Sequence, residues 1–74
     1  MPLINVRVIE GVFTPAQKQA IARDLTEAMV AIEGEALRPL TLVLIDEVKS
    51  GDWAIGGKSI TTQDARKLAS VKAA

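Results

Sequence analysis

The sequence contains no cysteine and no histidine among its 74 residues, and its aromatic content is 3%, supplied by Phe13 and Trp53. Zinc, haem and iron–sulfur sites of the ordinary kinds therefore lack ligands, and neither a His-dependent triad nor a cysteine nucleophile can be assembled. Neither a metal nor a cofactor is expected. Any chemistry must come from carboxylates, Lys, Arg, hydroxyls or a chain terminus. Charge of one sign is lacking too: nine basic residues balance nine acidic ones, scattered without a basic run. That leaves no electrostatic footprint for a phosphate backbone, so nucleic acid is not an expected partner. No apolar run approaches the length of a bilayer span and no leader pattern opens the sequence, so no membrane association is expected. The absence of cysteine suits the cytosol, and the chain reads as cytoplasmic.

What is present is a chain 49% hydrophobic, read as a single domain over residues 1–74. A domain of about 60 to 75 residues buries only roughly 60% of its unfolded surface, and small cores often depend on disulfides, metals or partner subunits. The first two are absent here. Contact area must come from Val, Ile, Leu and Ala rather than aromatics, and a homo-oligomer is expected.

Ile4, Val6 and Val8 alternate with Leu3, Asn5, Arg7 and Ile9, the period-2 signature of a strand. Gly11 ends it. Thr14-Pro15-Ala16-Gln17 then opens a helix: Thr14 caps, Pro15 suits the first helical position and Gln17 closes a capping box. Ile21, Leu25 and Met29 recur every four residues, with Ala22, Ala28 and Ile32 widening the stripe, and Gly34 is the stop. After a loop from Glu35 to Pro39, the apolar run Leu40 to Ile45 predicts a strand covered on both faces. Strand, helix and strand form a βαβ unit, whose right-handed crossover places the strands parallel. Two strands alone do not make a stable sheet, so completion by further copies is expected. Beyond them, Lys49-Ser50-Gly51-Asp52 predicts a turn, Trp53-Ala54-Ile55 a short extended piece, and Gly56-Gly57 a sharp bend. Thr61 or Thr62 can cap a short helix from Asp64 to Val71, with Ala65, Leu68 and Val71 apolar and Arg66, Lys67 and Lys72 exposed. The fold class is α+β: the parallel pair, a short hairpin and a C-terminal helix.

One position stands out chemically. Once the initiator methionine is removed, Pro2 is an N-terminal secondary amine at the start of a strand. An ordinary α-amino group titrates at about 7.7 to 8.0, and desolvation lowers that further, which yields a base at neutral pH. Gly56-Gly57 lacks the Lys-Ser/Thr of a phosphate loop, and no carboxylate spacing forces an acid–base pair.

The order Pro2-Leu3-Ile4-Asn5-Val6, Glu10-Gly11, Gln17-Lys18, then Glu47 with Ser50-Gly51-Asp52-Trp53-Ala54-Ile55-Gly56-Gly57 resembles the 4-oxalocrotonate tautomerase family. The resemblance spans roughly residues 2–58. It implies a βαβ subunit assembled as dimers and commonly as a hexamer, with the terminal proline at the floor of an apolar pocket. It also implies that Pro2 shuttles a proton between an enol oxygen and a carbon of a small-molecule substrate. Trp53 matches the aromatic position that keeps the family's pocket apolar, and it serves equally well as interface packing. Two family arginines are replaced, one by Val12, followed by Phe13, and one by Leu42. A valine or leucine cannot bind a carboxylate as a guanidinium does, so the family's dicarboxylate dienols are not the expected substrates. Val12, Phe13 and Leu42 are expected to line the pocket with Trp53. Arg38 is the candidate substitute anion site, weighed against a solvated loop cation. The alternative to a tautomerase is a catalytically silent oligomer of the same fold, binding a small molecule or pairing with an unlike subunit that carries the arginines.

Overall fold

The computed structural model describes residues 1–70 and has the order β1 (Leu3–Ile9), α1 (Pro15–Glu33), a 3-10 helix (Glu35–Leu40), β2 (Leu42–Val48), β3 (Trp53–Ile55), β4 (Lys58–Ile60) and α2 (Thr62–Ser70). The last residues of the expected C-terminal helix, Val71 and Lys72 included, lie outside the described residues. The chain divides into two compact units. One comprises Met1–Val6 and Phe13–Asp46, the other Arg7–Val12 and the chain from Glu47 onward.

Strands β1 and β2 pair, and their main-chain hydrogen bonds show how. Leu42 N–H donates to Pro2 O (3.1 Å) and Glu10 N–H to Val48 O (2.8 Å). The two strand beginnings meet and the two strand ends meet, so the pair is parallel, as the βαβ pattern requires.

In the first unit, α1 begins where local chemistry directs. Gln17 N–H donates to Thr14 Oγ1 (3.1 Å) and Thr14 N–H to Gln17 Oε1 (2.8 Å), a reciprocal capping box with Pro15 in the first turn. At the other end Gly34, at φ +105°, donates its N–H to Val30 O (2.9 Å). Val30 is buried, and Ile21, Leu25 and Met29 are half-buried. Ile32, expected in the same stripe, is 85% exposed. The less exposed side of the strands in this unit is formed by Ile4, Val6, Val43 and Ile45.

The segment before β2 differs from expectation. Residues 35–40 wind into a 3-10 helix instead of a loop, closed by Thr41 N–H on Arg38 O (3.2 Å) and Thr41 Oγ1 on Leu37 O (2.9 Å). Leu40 is absorbed into that turn, so β2 starts at Leu42 and runs on through Asp46 and Glu47, because its pairing with β1 persists to Val48. In the isolated chain one face of β2 is open: Leu42 is 46% and Leu44 50% exposed, beside half-buried Val43 and Ile45.

In the second unit, β3 and β4 form an antiparallel hairpin with Trp53 opposite Ile60 and Ile55 opposite Lys58. Its two-residue turn is Gly56-Gly57 at φ +59° and +83°. Both positions need positive φ in the turn type that matches strand twist, which only glycine adopts freely. Helix α2 is capped by Thr61, whose Oγ1 accepts from Asp64 N–H (3.1 Å) while Asp64 Oδ2 accepts from Thr61 N–H (3.0 Å). Ile9 is the buried apolar residue of this unit, at 8% exposure.

Candidate active site

Pro2 immediately precedes β1 and is half-buried. Its carbonyl accepts from Leu42 N–H at 3.1 Å, so the first ladder bond of the sheet fixes the proline's position. The two candidates Pro2 and Leu42 are thereby brought together, one at the head of each parallel strand. With Met1 in place the Pro2 nitrogen is an amide; Met1 itself is 82% exposed. Phe13, also in the first unit, is half-buried directly before the Thr14 cap.

Arg38 lies in the last turn of the 3-10 helix, and its guanidinium is enclosed by carboxylates. Nη1 donates to Glu27 Oε1 (2.6 Å) and Nη2 to Glu27 Oε2 (3.0 Å), while Nε and Nη2 donate to Glu35 Oε1 (2.6 Å) and Oε2 (3.2 Å). These charge-assisted bonds hold both carboxyls below the ordinary glutamate range and raise the guanidinium above its ordinary value. The group carries a net negative charge. A substrate anion approaching Arg38 would first have to displace Glu27 or Glu35. The nearby Thr41 hydroxyl has Glu33 as well as Leu37 O within reach, and its one proton serves either acceptor.

In the second unit, Val12 is half-buried and follows Gly11, and Trp53 is half-buried at the start of β3. Around Gly11 the structure assembles a set of interactions that the sequence alone does not announce. Glu10 Oε2 accepts from Ser50 N–H (2.9 Å), Ser50 Oγ accepts from Thr62 N–H (2.9 Å), and the Thr62 hydroxyl donates to Glu10 O. Arg66 Nε and Nη2 both donate to Gly11 O, at 3.1 and 2.6 Å. Gly11 N–H in turn reaches Glu47 Oε2 at 3.4 Å. Gly11 and Arg66 are 55 positions apart; no spacing rule connects them. A cleft of about 270 Å³ between β4 and α2 is lined by Lys58, Ile60, Asp64, Lys67 and Leu68, none of them a candidate residue. No group of three or more Asp and Glu residues that could hold a metal ion occurs among the described residues, and no described helix is long and apolar enough to cross a membrane.

Comparison with known proteins places these features in a wider setting. A family model described as tautomerase enzyme matches residues 2–63, beginning at Pro2. A probable tautomerase, K2, from Dickeya dadantii is 36% identical over 61 residues, covering 82% of this chain and 90% of that protein. A probable tautomerase from Helicobacter pylori strain J99 is 34% identical over 62 residues, 81% of this chain and 90% of its own length. Among solved structures, DmpI from Helicobacter pylori superimposes with a TM-score of 0.70 at 31% identity, over 80% of this chain and 95% of DmpI. TomN, a 4-oxalocrotonate tautomerase homologue of the tomaymycin biosynthetic pathway, does so with a TM-score of 0.72 at 30% identity, over 96% of this chain and all of TomN.

Proposed function

The chain belongs to the tautomerase family, and from that premise we propose that Pro2, freed as a secondary amine by removal of Met1, is its general base and general acid. The substrate is a small enolisable carbonyl compound. The neutral amine takes the enol hydroxyl proton, the carbonyl forms as the C=C pair shifts to carbon, and the resulting ammonium delivers a proton to that carbon. The observation that carries this reading is the start of the family match at Pro2, joined to the ladder bond that fixes Pro2 beside Leu42. In the assembled protein Leu42, Val12, Phe13 and Trp53 line the pocket, and their apolar surroundings disfavour the ammonium and keep the amine a usable base. The same lining disfavours a dicarboxylate. A phenylenolpyruvate-like enol is a suitable probe.

Assembly is part of the proposal. Leu3, Leu42 and Leu44 are 56%, 46% and 50% exposed in the isolated chain, an apolar face that further copies would cover. A dimer or hexamer built on it is the expected active form. Arg38 is assigned to holding the 3-10 helix, since Glu27 and Glu35 already occupy its donors.

The test is ketonisation of phenylenolpyruvate by untagged protein whose intact mass lacks one methionine residue. Pro2→Ala keeps an amine but loses the ring, and kcat should fall by about 10²-fold, the low end of what a positioned acid–base group contributes. Unchanged turnover in that variant removes Pro2 from the chemistry. The replacement of both family arginines by Val12 and Leu42 gives substance to a second reading, a silent binding or assembly protein. It predicts ligand affinity and assembly indifferent to Pro2, and no turnover of any enol.

A further inference from the structure

The second unit carries a cleft that proton transfer leaves unused. Between β4 and α2 lies a space of about 270 Å³ lined by Lys58, Ile60, Asp64, Lys67 and Leu68, all of them in that unit. Local geometry selects these residues. Side chains alternate along β4, so Lys58 and Ile60 share a face. Along α2, positions 64, 67 and 68 are neighbours on one side of the helix. The floor is aliphatic, with Ile60 half-buried and Leu68 69% exposed.

Charge gives the cleft a preference. Asp64 is already engaged in the α2 cap, where Oδ2 accepts from Thr61 N–H (3.0 Å). Its hydrogen bonds to Thr61, aided by the charges of Lys58 and Lys67, hold the carboxyl below the ordinary aspartate range, so it stays ionised. Neither ammonium is held in return: among the described residues the side chains of Lys58 and Lys67 form no hydrogen bond or ion pair. Two ammonium groups against one carboxylate leave a single positive charge beside an apolar floor.

We propose that this cleft binds a small aliphatic monocarboxylate, its carboxylate received between Lys58 and Lys67 and its chain laid against Ile60 and Leu68. The surplus of one charge matches one anion. Lysine ammonium groups on flexible stems meet a carboxylate as point charges and need no fixed fork. The volume lies just under the usual range of small-molecule sites, which suits a short chain and excludes a bulky ligand.

Octanoate is the probe, titrated by isothermal calorimetry into the assembled, untagged protein, with 1-octanol and octylammonium carrying the same chain without a negative charge. Octanoate should bind, octanol should bind several-fold more weakly, and octylammonium should not bind. Lys58→Gln and Lys67→Gln should each lower octanoate affinity about threefold, the worth of an exposed ion pair, and leave octanol unaffected. Leu68→Glu puts a second carboxylate on the floor, reverses the surplus charge and should abolish octanoate binding. Leu68 is 69% exposed and glutamate is a good helix former, so melting temperature and assembly mass should not change. In the wild type, added salt should weaken octanoate binding, a readout that needs no variant. The proposal is overturned if the assembled protein takes up no octanoate, if octanol binds as well as octanoate, if salt has no effect, or if the three variants bind octanoate as the wild type does. Each of these results leaves the Pro2 chemistry standing, and loss of enol turnover in Pro2→Ala with octanoate binding intact would separate the two sites.

Discussion

Gly11 shows how much one residue can carry. Its φ of +77° lies in the left-handed region, its carbonyl holds Arg66, and a Cβ there would press on Thr62 Cγ2 at 3.1 Å. Gly51, at φ +90°, has open space around it. Replacing either by alanine costs about 1–2 kcal/mol for the backbone conformation, and Gly11→Ala should cost more because Thr62 must also move. Urea unfolding at one fixed protomer concentration should rank Gly11→Ala below Gly51→Ala; equal midpoints would mean that α2 yields without cost. This constraint could not be read from the sequence, where Gly11 registers as the end of a strand and as half of the Glu10-Gly11 match. Its reason lies 55 residues away, in Arg66. Pro2 was legible for the opposite reason: a secondary amine at the head of a strand is a local fact. Arg38 falls between the two, since its loop position was apparent but its enclosure by Glu27, 11 positions distant, was not.

Among the elements, those set by neighbouring residues follow the sequence and those set by distant ones do not. Helix α1 starts at the Thr14–Gln17 box and stops at Gly34, all within one or two turns of each signal. The start of β2 shifts from Leu40 to Leu42 because the residues before it wind into a 3-10 helix, with Arg38 bonded to both Glu27 and Glu35. Apolar periodicity carries no trace of that. For α1, Thr14→Ala removes the acceptor for Gln17 N–H and should cost about 1 kcal/mol, read as a lower urea midpoint with an unchanged slope. Thr14→Ser should restore most of it. Loss of stability in neither variant would mean that assembly rather than capping fixes this end of the helix.

At the scale of the whole molecule, little of the described chain is deeply buried: Ile9 and Val30 are its buried apolar residues, while Leu3, Leu42 and Leu44 stand exposed. In the isolated chain one face of β2, carrying Leu42 and Leu44, stands open beside half-buried Val43 and Ile45. An unbroken apolar run means that both faces become buried, but it does not say which chain does the covering. On this account Leu44→Glu should leave the helices formed and abolish the oligomer, seen as a protomer mass in sedimentation and as loss of enol turnover together. An assembly that stays intact in this variant would place the interface elsewhere.

The central claim is that the free amine of Pro2 moves the proton, and the most direct measurement compares one sequence in two states of its N-terminus. Protein with Met1 removed and protein retaining it, made with methionine aminopeptidase inhibited and verified by intact mass, are assayed side by side for phenylenolpyruvate ketonisation. The account predicts that turnover scales with the processed fraction, because an amide nitrogen has no basicity to offer. Equal activity in the two preparations would contradict it.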